Sequence, residues 1–372
     1  MLVIYSGILL IFLLFTILNS FFMPKLKPAA LKEIPSVSIM IPLRNEERNA
    51  EELVHMLKKL VYPDLSFYLL DDQSEDATRS LLEHHIGKDV RFTLLSGKKL
   101  PEGWAGKVHA CHTLSLNARQ EFLLFMDADV RLHPEAVDNA VAMLQEKGGA
   151  LLTGFPRFPV KYLMEKWLVP MQHFLVYFHL PLFLANYTVF PPATAAHGAF
   201  MLFRREDYLE AGGHESIKAS IVDDVHLAKR MKDTGKKVLL ANVTDFVTCY
   251  MYTSSKEAWN GFKKNIFPGF GRSLPVTLAL CLFYACFYVL PGALFIYGIV
   301  HFFAGQSFSL FMFFPYLIIV VQKMYIDKCS NQSLLLSFSM PFSGAAFIVL
   351  MLVSMYTSLR NKGYEWKGRT YS

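Results

Sequence analysis

The stretch "FLLFMDADVRLHP" (122–134) begins as an unbroken apolar run and ends in charge. Phe122 to Met126 carry no polar atom in their side chains that needs water, as in a strand covered on both faces. Asp127 and Asp129 follow, with only Ala128 between them. Paired carboxylates suit a hard divalent cation, which in turn bridges phosphates. The same letters also serve turns and helix N-caps. The pair therefore gains meaning only from what other segments bring to this strand end.

Upstream, strand and helix patterns alternate. The run "VSIMIPL", within residues 36–43, is β-branched and closed by Pro42. "ERNAEELVHMLKKLVY" places Leu53, Met56, Leu57 and Leu60 at helical spacing. "FYLLDD" (67–72) reads as a second strand, and "SEDATRSLLEHHI" as a helix capped by Ser74, with Glu75 and Asp76 in its first turn. "VRFTLLS" (90–96) is a third strand, "GKVHACHTLSLNARQ" a helix, and "HPEAVDNAVAMLQEKGG" a helix with a glycine stop. Such alternation predicts an α/β fold, a mostly parallel sheet with helices on both faces. These sheets bind ligands at the carboxyl ends of their strands. "PLRNEE", "DDQSED" and "DADV" stand at three such ends. Lys107, from the "WAGK" turn, adds a point charge for a phosphate oxygen. Neither G-x-x-x-x-G-K-[ST] nor G-x-G-x-x-G is present, which excludes a P-loop and the usual dinucleotide site.

Composition points to a membrane. Of 372 residues, 53% are hydrophobic and 32 are Phe, and the charges lie mainly between about 24 and 272. Residues 2–22 are uncharged and long enough to cross a hydrocarbon core of about 30 Å. Without a basic n-region or a small-x-small site, they read as an uncleaved anchor rather than a signal peptide. Lys25, Lys27 and Lys32 then place the following domain in the cytoplasm. Apolar runs recur at 274–303, 308–326 and 333–359. The resulting division is an N-terminal anchor (1–23), a catalytic domain (24–273), a membrane region (274–359) and a basic cytoplasmic tail (360–372). Three full C-terminal spans would leave Arg360, Lys362, Lys367 and Arg369 outside, so 308–326 is expected to lie in the interface or re-enter, letting "WKGR" reach the catalytic face. The apolar segment 161–190 reads as interfacial helices with Trp167, Tyr177 and Tyr187 at headgroup level, or as buried core. Five scattered Cys make no disulfide framework, and a net charge of +6 with basic residues flanking the spans suits an anionic membrane surface rather than nucleic acid.

Over roughly residues 35–270, the ordered set "PLRNEE", "DDQSEDAT", "GK..A" (106–110), "DAD", "HGAFMLFRREDYLEAGGHE" and "VDDVHLAKRMKDTGKKV" resembles the family 2 inverting glycosyltransferases, with their GT-A fold. The tail "YEWKGRTYS" and the membrane layout resemble the bacterial carotenoid glycosyltransferases of the staphyloxanthin type, which attach glucose to diaponeurosporenoate. The resemblance implies a UDP-sugar donor, Mg²⁺ or Mn²⁺, a membrane lipid acceptor and a multi-pass location in the cell membrane; it allows a complex with other enzymes of a lipid or carotenoid pathway. It further implies that Pro42, Arg44 and Glu46 line a uridine pocket, that Asp72 contacts the uracil, and that Lys107 lies near the diphosphate. Asp127 would face the ribose, Asp129 would be the direct metal ligand with Asp127 beside it, and Asp224, supported by Asp223, would be the catalytic base. Gln73 stands where the family pattern has glycine. The Q-x-x-R-W of processive members is absent; Trp259, Lys263 and Lys264 occupy the nearest segment, which favours transfer of one sugar. Other lipid acceptors (diacylglycerol, a sterol-like lipid, polyprenyl phosphate) and a non-catalytic assembly partner are the competing readings.

Several histidines have quieter explanations. His109 and His112 of "HACH" lack a second ligand pair and fit a donor-site helix better than zinc. "EHH" (83–85) reads as a solvated helix end. His197 and His214 fit either the acceptor side or hydrogen-bonded structural positions.

Overall fold

A computed structural model describes residues 1–360 and, beyond them, two short paired strands at 364–366 and 369–371. Lys362, Lys367 and the side chain of Arg369 lie outside the described residues, and with them the expected reach of "WKGR".

The seven-stranded sheet contains β1 (Val37–Leu43), β2 (Leu65–Asp71), β3 (Phe92–Ser96), β4 (Phe122–Phe125), β6 (Leu151–Thr153), β7 (Met201–Arg204) and β8 (Val238–Leu240), in the order β3-β2-β1-β4-β7-β6-β8. The first four strands are mutually parallel, whereas β7 runs antiparallel to both β4 and β6. A separate pair joins β5 (Val130–Leu132) to β9 (Val247–Cys249). Strand residues alternate between two cores. Ile39, Ile41, Leu69, Leu124 and Leu202 face the one that includes α2 (Glu47–Lys58) and α5 (Ala136–Lys147). Met40, Leu70, Leu123 and Phe203 face the other, with α4 (Gly106–Asn117) and α10 (Asp223–Asp233). Full burial of such a side chain stabilises by about 1.5–3 kcal/mol before entropy is counted. Helix α3 (Thr78–Ile86) begins four residues after Ser74. Ser74 is therefore not its cap; it serves the loop described below.

Among the described residues, four segments are long and apolar enough to cross a membrane: Leu2–Ser20 (α1), Leu274–Phe303, Leu310–Cys329 and Leu334–Leu359. Helix α14 (Phe314–Cys329) lies along α1, where Gln322 donates to Thr16 Oγ1 (2.8 Å) and Tyr325 meets Ser20 (2.6 Å). Its Lys323 and Asp327 form a buried ion pair, and Ser337 donates to Asp327 Oδ2 (2.7 Å). Buried charges persist only when paired in this way. The last apolar segment, 330–359, begins and ends against the sheet domain. Asn331 is bonded to Asp245 of the sheet domain (2.5 Å), and Pro341 packs on Gly292, well short of the far end at Phe303. From there α15 (Met340–Leu359) runs back past Tyr284, whose ring meets Phe347 edge-on at 5.1 Å between centroids. It ends against α11 (Ser255–Gly269), where Ser354 donates to Lys263 O (2.6 Å). Both ends of 330–359 thus touch the catalytic domain.

The segment 161–190 forms α6 (Leu163–Leu168), α7 (Met171–His179) and α8 (Leu182–Tyr187). Tyr177 is buried rather than at a headgroup level, because α7 fills the seam between sheet and bundle: Phe178 packs on Phe12 (5.3 Å), and Asn19 donates to Tyr177 O (2.9 Å). Trp167 stacks on Phe342, and Tyr187 is exposed.

Candidate active site

Two loops leave β1 and β2 side by side. Asp72 N donates to Leu43 O (2.7 Å), continuing the ladder past the strand ends. The buried Arg44 guanidinium donates to Asp72 O (2.8 Å) and Gln73 O (2.7 Å) and pairs with Glu75 at 3.2 Å. Asn45 N donates to Ser74 Oγ (2.9 Å), Glu75 N to Asn45 Oδ1 (2.9 Å), and Glu46 N to Thr78 Oγ1 (2.7 Å). Ordering two loops costs conformational entropy, which this set of bonds offsets. Gln73 adopts φ +58°, a left-handed conformation that glycine takes freely and that explains why glycine suits this position. Asn45, at φ +51°, is a residue type that tolerates it. Asp72 is buried against Gly97: a Cβ there would stand 2.7 Å from Asp72 Oδ1 and 2.8 Å from its Cα. Pro42 sits in β1 opposite Leu70.

The second half of the site comes from distant segments. Asp127 and Asp129 leave β4, Lys107 lies in the first turn of α4, and Asp223 and Asp224 open α10. Lys107 Nζ is 2.7 Å from Asp127 Oδ1 and 3.6 Å from Asp223 Oδ2. Asp224 Oδ2 accepts from Gly198 N (3.1 Å) and Oδ1 from Val225 N (2.8 Å), in the positive field of its own helix N-terminus. Gly198 leaves little room at this convergence, since a Cβ would sit 3.0 Å from Lys107 Nζ and 3.4 Å from Asp127 Oδ2. The β5–β9 pair secures Asp129: Tyr250 N donates to its carbonyl (3.0 Å), and Cys249 Sγ is 3.5 Å from Oδ1.

Electrostatics follow from crowding. Burial, then the charges of Asp127 and Glu46, push the Asp129 carboxyl well above the ordinary range. Burial, then Asp223, does the same to Asp224. Burial works against the Lys107 ammonium, yet Asp127 and Asp223 carry it above its usual value. Lys264 of α11 is pushed down by burial and then by the charge of Lys107.

The remaining histidines are placed as follows. His197 is buried between Phe155 and Phe158, and its Nδ1 accepts from Ala199 N (3.1 Å). His214 Nδ1 meets the Tyr208 hydroxyl at 2.8 Å. Both take the hydrogen-bonded structural role. His112 and His109 pack on Trp104 along α4. Gly97, Gly198 and Cys249 were not singled out from sequence. The "HGAF" turn was the one available signal, for Gly198.

The glycosyl transferase family 21 model matches residues 2–372, and the chain belongs to that family. It is a glycosyltransferase, as the resemblance to GT-A enzymes implied. It is 26% identical over 355 residues to a 4,4'-diaponeurosporenoate glycosyltransferase of Staphylococcus aureus (strain bovine RF122 / ET3-1), covering 91% of this chain and 88% of that one. The protein of that name from strain USA300 is 25% identical over the same coverage. The fold is also that of the mannosyltransferase PcManGT from Pyrobaculum calidifontis, whose structure holds GDP-Man and Mn²⁺ (TM-score 0.56, 15% identity, 97% of this chain and 99% of that chain).

Proposed function

We propose that this glycosyltransferase transfers one sugar, with inversion, from a UDP-sugar to a lipid dissolved in the membrane. The acceptor we favour is a carotenoid acid of the diaponeurosporenoate kind, and the sugar glucose. The relatives named for that acceptor match 91% of the chain. One observation carries the reading: Asp127 and Asp224, 97 positions apart in sequence, converge on Lys107 and Gly198.

Glu46 and Asp72 then face the nucleoside with Pro42, and Arg44 shapes that pocket by holding the Asp72–Gln73 backbone. Asp127 faces the ribose, and Lys107 meets the diphosphate oxygens as a point charge. Asp129, with Asp127, would hold Mg²⁺ or Mn²⁺. The donor set fits, because three crowded carboxyls resist ionising together without added positive charge. Such a cation, when bound, neutralises charge on the departing diphosphate. The acceptor oxygen forms its bond to the anomeric carbon as the bond to UDP breaks. Asp224 takes the acceptor proton. With an acceptor that arrives as a carboxylate, Asp224 orients rather than deprotonates, and Asp223 supports it.

The catalytic domain faces the cytoplasm in this reading, with the basic residues after α1 on that side. Since α15 returns to the catalytic domain, a cysteine placed at position 360 should be labelled from the cytoplasmic face alone. Labelling from outside intact cells would refute this arrangement. The function itself is tested by expressing the chain in cells that make a carotenoid acid and analysing extracted lipids by mass spectrometry. The expected product is the carotenoid acid plus one hexose. Hexose on diacylglycerol or polyprenyl phosphate instead would replace the acceptor, and UDP binding without any glycosylated lipid would leave an assembly role.

A further inference from the structure

The end of α3, which reads in sequence as a solvated "EHH", faces α2. Glu51 and His55 lie one helical turn apart on α2, and His85 is in the last turn of α3. Their possible ligand atoms all fall within 4.8 Å of one another. His85 Nε2 stands 4.0 Å from Glu51 Oε2, and the His55 and His85 rings are nearly perpendicular at 5.3 Å between centroids. The protein itself holds this arrangement. Lys58 Nζ donates to His85 O (2.7 Å) and Ile86 O (3.1 Å), pinning the end of α3 to α2, and Gly87 at φ +62° ends the helix.

We propose that Glu51, His55 and His85 form a second metal site, for Zn²⁺ or a similar borderline first-row cation. Two imidazoles and one carboxylate are the donor set that such ions take, leaving a position for water. Imidazole selects against Mg²⁺, which prefers oxygen, so this site and the acid cluster differ in the metal they choose. Zinc bonds of about 2.0–2.1 Å require the three donors to close in. Glu51 and His55 are exposed, so a change of side-chain rotamer can bring the donors together without moving the backbone. The position gives the site a consequence. Helices α2 and α3 lead away from the Arg44–Glu46 and Asp72–Ala77 loops, and a metal staple between them would stabilise the loop pair by binding the folded state alone. This inference does not depend on the acceptor or on catalysis.

The test is a calorimetric Zn²⁺ titration of the tag-free, full-length protein in detergent micelles, with excess Mg²⁺ present to occupy the oxygen-rich cluster. The parent should bind one saturable equivalent. The double variant His55→Gln, His85→Gln should lose that equivalent, and Glu51→Gln should weaken it by about tenfold or more, one ligand being lost. His84→Gln, at the neighbouring exposed ring, should keep it. A parent with no saturable zinc, or a double variant that binds as the parent does, would overturn the proposal. Glu51→Gln leaves both rings in place and decides the matter should the double variant fail to fold.

Discussion

The two halves of the site are held together by different forces. On one side the Arg44–Glu46 and Asp72–Ala77 loops are joined by short hydrogen bonds to backbone groups, two of them donated by the Arg44 guanidinium. Across from them, Asp127, Asp223 and Asp224 are gathered around one ammonium and one backbone N–H. The first side is preorganised before any ligand arrives. The second carries carboxyls with raised pKa values, a state that nearby positive charge from a ligand or metal relieves. A change to the loops should therefore act on shape and affinity, and a change to the charged side on the reaction.

The largest effects are expected on the charged side. Asp129→Ala should abolish transfer and weaken UDP binding chiefly when Mg²⁺ or Mn²⁺ is present; full activity in excess chelator would contradict the metal assignment. Lys107→Met removes the cation between Asp127 and Asp223, and turnover should fall by about 10² to 10³, the usual worth of one charge-stabilising donor. A loop-side change should be smaller and of another kind. Gly97→Ala drives a methyl into Asp72, so calorimetry should show weakened nucleotide binding and thermal unfolding a loss of about 1–3 kcal/mol. The smallest effect belongs to Gln73→Gly. Release from φ +58° is opposed by the greater freedom of glycine in the unfolded chain, leaving at most about 1 kcal/mol of added stability. A loop variant that lowers turnover with binding and stability untouched would break the contrast.

The same contrast decided what could be read in sequence. β1, β2 and β4 are legible because continuous apolar runs end at polar tips, and the loop motifs are local. Antiparallel β7 was not, since four residues arriving after the long 161–200 excursion carry no signal of direction. Gly97 and Gly198 matter through side chains that approach from elsewhere, Asp72 in one case and Lys107 with Asp127 in the other. Asp127 and Asp224 were paired only through the family resemblance; their meeting is tertiary. The contact of both ends of 330–359 with the sheet domain also escaped, because hydropathy records how apolar a segment is and not what it packs against. The Lys323–Asp327 pair, bonded to Ser337, accounts for the two charges buried inside α14.

The central claim, that Asp224 does the proton work while the donor is held elsewhere, is tested most directly by measuring UDP-sugar binding and lipid transfer together in Asp224→Asn. The account predicts binding within a few-fold of the parent and transfer lower by about 10² to 10⁴, the usual worth of a general base, with Asp223→Asn losing less. An Asp224→Asn enzyme that turns over like the parent while Asp223→Asn is inactive would contradict it and move the base to the neighbouring carboxylate.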